Sequence, residues 1–190
     1  SSDLSSTQTQ ILVQGAALKL EGRTNTQGSS TGVGLYAFGD ANSRGLLINA
    51  HQARPGATVT LSGSNNRGIT DGHSYLLTHV LMAGPDDPSG KLELLGIGGR
   101  NTGLVGSLLA DVDIVTQAPF EALSDGFYFN QVNLQGGSDI SLRTRTGAGE
   151  PAGAMVYLLD SELKTTGTAA TIRMEGSDGG AVRGGNQGAG

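Results

Sequence analysis

Ala57-Thr58-Val59-Thr60-Leu61-Ser62-Gly63 alternates apolar and polar residues, ends in glycine and runs into the turn-forming stretch Ser64-Asn65-Asn66-Arg67-Gly68. Successive side chains on a strand point to opposite sides, so this reads as a short strand with one buried face. The pattern recurs. Ala17-Leu18-Lys19-Leu20-Glu21-Gly22, Lys91-Leu92-Glu93-Leu94-Leu95-Gly96, Asp139-Ile140-Ser141-Leu142-Arg143-Thr144 and Thr171-Ile172-Arg173-Met174-Glu175-Gly176 share it. With Leu20, Leu61, Leu94, Leu142 and Met174 aligned, the separations are 41, 33, 48 and 32 residues. An imperfect repeat of this kind predicts a solenoid, in which each coil buries its apolar face against the coils above and below. Lys19, Glu21, Glu93, Arg143, Arg173 and Glu175 fall at the outward positions, which predicts a charged solvent face.

Between the first two repeats lie Gly32-Val33-Gly34-Leu35-Tyr36 and Gly45-Leu46-Leu47-Ile48-Asn49-Ala50, each opened by glycine. The 41-residue unit therefore reads as three or four short strands in two coils of about 20 residues each. Gly68-Ile69 with Tyr75-Leu76-Leu77, and Gly103-Leu104-Val105 with Leu108 through Val115, repeat the order. Leu76, Leu77, Val80 and Leu81, and Leu104, Val105, Leu108, Leu109 and Val112, also fit a helical face, but Gly106 within the second run favours strands. In the longest unit, Pro119 to Gly126 reads as a helical turn or a projecting loop, before alternation resumes at Phe127-Tyr128-Phe129. Residues 1–10 read as a flexible N-terminal segment, 11–178 as the repeat domain and 179–190 as a flexible glycine-rich tail or the start of another coil.

Glycine, at 32 of 190 residues, is more than twice as frequent as the average of about 7%. It supplies the positive φ angles that frequent tight turns need. The absence of cysteine removes disulfides, thiolate metal sites and a cysteine nucleophile. A formal charge of −5 with three lysines offers no basic footprint for nucleic acid. No apolar run approaches the roughly 18 residues of a membrane span, and Ser1-Ser2-Asp3-Leu4-Ser5-Ser6 lacks the regions of a signal peptide. Serine at position 1 fits a piece of a longer or processed chain.

Several residues have side chains suited to chemistry. Asp111 and Asp113 lie on one face of a strand, about 6–7 Å apart, a spacing open to acid/base glycosidic cleavage or to a hard cation. Val112 and Ile114 would point inward, which makes an outward solvated pair the simpler reading. His51, His73 and His79 have no metal-ligand spacing; on one strand His73 and His79 would sit about 20 Å apart. Gly96-Ile97-Gly98-Gly99-Arg100-Asn101-Thr102-Gly103 lacks the glycine and the Gly-Lys-Ser/Thr that the phosphate-binding loops require. Gly137-Ser138-Asp139 is too short for a calcium-binding repeat, and Asp86-Asp87 between prolines reads as a turn. No Gly-x-Ser-x-Gly elbow occurs. The sequence thus predicts no catalytic, cofactor-binding or metal-binding residues.

Val59-Thr60-Leu61-Ser62-Gly63-Ser64-Asn65, Gly32-Val33-Gly34-Leu35-Tyr36 and Leu92-Glu93-Leu94-Leu95-Gly96 resemble the adhesin repeats of filamentous haemagglutinin. These large bacterial exoproteins are exported by two-partner secretion. The resemblance covers about residues 11–178. It implies a right-handed parallel β-helix and a structural, adhesive role in a secreted protein of the bacterial cell surface. The implied partners are a receptor or glycan of host cells or other bacteria, and further segments of the same long chain. The Asn-Pro-Asn motifs of the family's secretion domain are missing, which places the piece in the rod, and no family binding residue carries over. Loops 83–90, 117–126 and 145–153 are free to vary. Phe120, Phe127, Tyr128 and Phe129 near one of them form the expected contact patch, with a place in the core as the other reading for Phe127 and Phe129. Two other readings stand beside this one: a carbohydrate-active β-helix enzyme, needing carboxylates and an Arg or Lys on one exposed face, and an antiparallel β-sandwich binding module.

Overall fold

A computed structural model describes residues 9–24, 33–40, 42–65, 73–98, 105–144, 156–176 and 182–185. Among these there is no helix, and there are sixteen strands. They are β1 (Thr9–Leu12), β2 (Ala17–Thr24), β3 (Val33–Ala37), β4 (Leu46–Asn49), β5 (Thr58–Asn65), β6 (His73–Thr78), β7 (Val80–Ala83) and β8 (Lys91–Gly98). The second half supplies β9 (Val105–Thr116), β10 (Phe120–Ser124), β11 (Gly126–Gly136), β12 (Ile140–Thr144), β13 (Val156–Leu159), β14 (Glu162–Thr165), β15 (Ile172–Glu175) and β16 (Val182–Gly185).

Thr58 to Gly63 lie in β5, the second rung of a six-stranded sheet ordered β15-β12-β10-β8-β5-β2. Every strand pair in it is parallel and in register, so that Leu20, Leu61, Leu94, Ala122, Leu142 and Met174 form one inward row. Leu18, Val59, Leu92, Phe120, Ile140 and Ile172 form a second. Leu61, Leu94, Ala122 and Leu142 are completely buried. The five repeats seen in the sequence are thus five rungs of one ladder.

The sixth rung corrects the expectation for Pro119 to Gly126. That stretch is β10, not a helical turn or loop, with Phe120, Ala122 and Ser124 buried. It splits the 48-residue unit into steps of 28 and 20 residues. Leu20 pairs directly with Leu61, so the first step is one coil of 41 residues and not two of about 20. Only the step from Ala122 to Leu142 has the expected length of 20. Alanine at the inward position hid this rung, because its small side chain breaks the Leu/Met pattern while keeping the row apolar.

The remaining strands form a ten-stranded sheet, again with parallel pairs throughout. The long strands β9 and β11 each serve two neighbours. The first half of β9 pairs with β6 and its second half with β7; β11 does the same with β13 and β14. At the junction the backbone leaves the extended region, with positive φ at His79, Ala110, Asp111, Gln131 and Asp160. The register shifts there, between Asn130 and Val132, and a bulge of this kind bends the strand. The apparent single wall is therefore two strand lines meeting along a row of left-handed residues.

Among the described residues every strand pair in the two sheets is parallel, unlike the antiparallel hairpins of a β-sandwich, and the one antiparallel bridge there, Asp40 to Ser43, belongs to a loop. The core lies between the sheets. Ile48, Met82, Ile114 and Leu134 from one sheet and Val59, Leu61, Leu92 and Leu94 from the other belong to a single buried cluster, which Phe127 and Phe129 also join. Gly63, which reads as the end of a strand, lies inside β5, where an added Cβ would collide with the Ser74 carbonyl. The glycine is needed for that close approach of two backbones, not for a turn. Pairing extends outside the expected repeat boundaries as well: Thr9 and Gln10 belong to β1, and β16 pairs with β13.

Candidate functional site

The expected contact patch separates into core and surface. Phe120, Phe127 and Phe129 are buried, at 1%, 2% and 0% exposure, and the rings of Phe127 and Phe129 meet edge to face at 5.6 Å. They hold the two sheets together and are not available to a partner. Tyr128, between them on the same strand, points the other way and stacks on Tyr157 of the next rung, with centroids 5.7 Å apart and planes 9° apart. Outward alternation alone separates it from its neighbours.

The sequence reading missed two exposed aromatics. Tyr36 and Phe38 are 57% and 64% exposed and stack on each other with centroids 6.0 Å apart. Tyr36 shares a row with Leu76, Ser107, Tyr128 and Tyr157. His73 leans into this row: its Nδ1 lies 2.8 Å from the hydroxyl of the buried Ser107, and burial lowers its pKa from the usual histidine value. β3, β6, β13 and the first halves of β9 and β11 contain no Asp, Glu, Lys or Arg. The wall bearing the tyrosines is thus uncharged up to its last strand, where Arg183 of β16 pairs with Tyr157, whereas the outer face of the six-stranded sheet carries the charges expected there. On that face Lys91 pairs with Glu93 at 2.9 Å and Glu121 at 2.8 Å, Arg143 also pairs with Glu121, and Thr60 donates to Glu93 at 2.7 Å.

Asp111 and Asp113 lie beside the line of left-handed residues, and their surroundings differ from the solvated pair expected. Arg44 donates to Asp113 at 2.5 Å and to the Val80 carbonyl at 3.2 Å, and its guanidinium lies 3.6 Å from the Asp111 carboxylate. Asn133 donates to Asp113 at 3.4 Å, and His79 sits 3.9 Å from Asp111. Because the corner residues stack rung on rung, Asp111, Asp113, Gln131, Asn133, Asp160 and Glu162 come to line one open depression of about 400 Å³. Asp160 and Glu162 are some fifty residues from Asp111, so only the register of β9, β11 and β14 brings them together. Among the described residues no group of three or more His, Cys, Asp or Glu is arranged to hold a metal ion.

The other candidates are structural. His51 pairs with Asp86 at 2.7 Å across two loops. Asp87 caps its own turn, accepting from the Ser89 amide and hydroxyl, and these hydrogen bonds lower its pKa. His73 and His79 do not share a strand, since β6 ends at Thr78. Gly96 lies within β8 and residues 99–103 lie outside the described residues, as does the loop 145–153. No family model, curated protein or solved structure matches this chain.

Proposed function

We propose that the chain is a structural and adhesive segment of a secreted bacterial surface exoprotein of the filamentous haemagglutinin type, wound as a right-handed parallel β-helix and acting without catalysis. The observation that supports this most is the in-register parallel ladder from β2 to β15, whose inward rows are apolar and whose connections vary in length without breaking the register. A stack of this kind is stiff, and each rung supports only its neighbours. Attachment to a host-cell or bacterial receptor or glycan falls to the tyrosine-bearing wall. Tyr36, Phe38, Tyr128 and Tyr157 there supply the aromatic surface in place of the buried phenylalanines. The test is binding of the immobilised chain to epithelial cells and to bacteria, beside a Tyr36→Ala/Phe38→Ala/Tyr128→Ala variant that melts normally. Binding lost in the variant supports the reading, and no binding by either chain removes it.

One observation favours a second reading, a carbohydrate-active enzyme on the same scaffold. The depression at Asp111, Asp113, Asp160 and Glu162, with Arg44 against it, gathers carboxylates and a guanidinium on one exposed surface. Cleavage of an acidic or neutral polysaccharide that disappears in Asp113→Asn would establish it over the adhesive role.

A further inference from the structure

The two ends of the six-stranded sheet carry the same charge code. β2 and β15 are its terminal strands, and among the described residues nothing pairs with their outer edges. The outward row that begins at Lys19 passes through Thr60, Glu93, Glu121 and Ser141 and ends at Arg173; the next begins at Glu21, passes through Ser62, Leu95, Leu123 and Arg143, and ends at Glu175. Both terminal strands therefore read basic then acidic at the same two positions. Each pair is closed within its own strand, Lys19 to Glu21 at 2.9 Å and Arg173 to Glu175, with Lys19 65% and Arg173 64% exposed.

An unpaired parallel edge is a template for another strand. A second copy stacked end to end in the continuing register would place Arg173 against Lys19 and Glu175 against Glu21. Like charges directly opposite on neighbouring strands destabilise the pairing, and opposite charges stabilise it. We propose that these edges reject a second copy of the chain and accept a parallel strand of reversed code: an acidic, a basic and an acidic side chain at alternate positions against Lys19, Glu21 and Arg23. This goes beyond the adhesive reading and does not depend on it.

The test is a charge swap at one end. Lys19→Glu with Glu21→Lys keeps the net charge and the 19–21 pair while giving up the Arg23–Glu21 pair, and the facing residues on β5, Thr60 and Ser62, are uncharged. Its β2 then complements the native β15. In sedimentation velocity at low ionic strength, the swapped chain is expected to associate end to end at least about tenfold more strongly than the native chain, two cross-strand pairs having changed sign. Adding Arg173→Glu with Glu175→Arg to the same chain is expected to abolish the gain. The native chain, measured alone, should associate more as salt rises and the swapped chain less. Equal association of native and swapped chains, persistence of the gain in the doubly swapped chain, or salt slopes of the same sign would each overturn the proposal.

Discussion

Tyr75 gives the sharpest test of the interior. It is completely buried, its ring lies where Gly106 leaves no side chain, and among the described residues its hydroxyl has no hydrogen-bond partner. Tyr75→Phe keeps the ring and removes only that oxygen. Burying a hydroxyl without a partner costs about 1–3 kcal/mol, so the substitution is expected to stabilise the fold by about 1–2 kcal/mol. For a chain of this length that is a rise in Tm of roughly 2–8 °C. Urea unfolding should show a higher midpoint at unchanged slope. Alkaline pH gives an independent readout. Burial pushes the Tyr75 hydroxyl well above its ordinary value, so the folded chain keeps the proton that the unfolded chain loses above about pH 10. The unfolded state then binds fewer protons, and native stability falls as pH rises past that point. Tyr75→Phe should lessen the fall. A Tyr75→Phe protein less stable than the native one by 1 kcal/mol or more would show that the hydroxyl is held by a partner, and the reasoning would fail.

Two further substitutions probe the corner and the charged face. Gln131 is exposed with φ 57°, so Gln131→Gly should leave stability unchanged or raise it by up to about 1 kcal/mol, while Gln131→Val should lower it by about 1–2 kcal/mol. Denaturant midpoints decide the order, and a valine variant as stable as the glycine one would contradict the left-handed corner. Glu121 is held below the usual glutamate pKa, first by its hydrogen bond from Lys91 and then by Arg143. Its stabilisation is present above about pH 4.3, the unfolded value, and is lost as pH falls below it. Glu121→Gln should therefore cost up to about 1 kcal/mol at pH 7 and flatten the acid limb of the stability curve. An unchanged acid limb would show that the pair is too solvated to matter.

How much of this was legible depended on side-chain size and on what lay between strands. Leu20, Leu61, Leu94, Leu142 and Met174 announce their rungs because a large apolar residue recurs between polar ones, and the structure places all five in one row. Ala122 does the same work with a methyl group, so the sequence pattern of its rung resembles a loop and leaves Phe120 looking like a surface residue. The tyrosine wall was half visible: alternation puts Tyr128 outward once β11 is recognised. Tyr36 and Phe38 gave no comparable signal, because their exposure follows from a position at the end of the stack. The acidic depression was least legible. Asp111 and Asp113 declare their shared face by spacing, but Arg44, Asp160 and Glu162 join them only through the register across the corner. No local pattern encodes that meeting.

Consecutive rungs run parallel and in register with β10 as a rung of its own, and a chain without cysteine allows this to be tested by cross-linking. Glu121 faces Ser141 and Leu123 faces Arg143 on neighbouring strands. Cysteines at adjacent strand positions fall within the roughly 4.4–6.8 Å between Cα atoms that a disulfide needs. Under mild oxidation of the folded protein, Glu121→Cys/Ser141→Cys and Leu123→Cys/Arg143→Cys should each close an intrachain disulfide. Glu93→Cys/Ser141→Cys, two strands apart, should not. Closure of both first pairs is the expected result. Bridging of 93 with 141, or of 123 with 139 in place of 143, would contradict the parallel ladder.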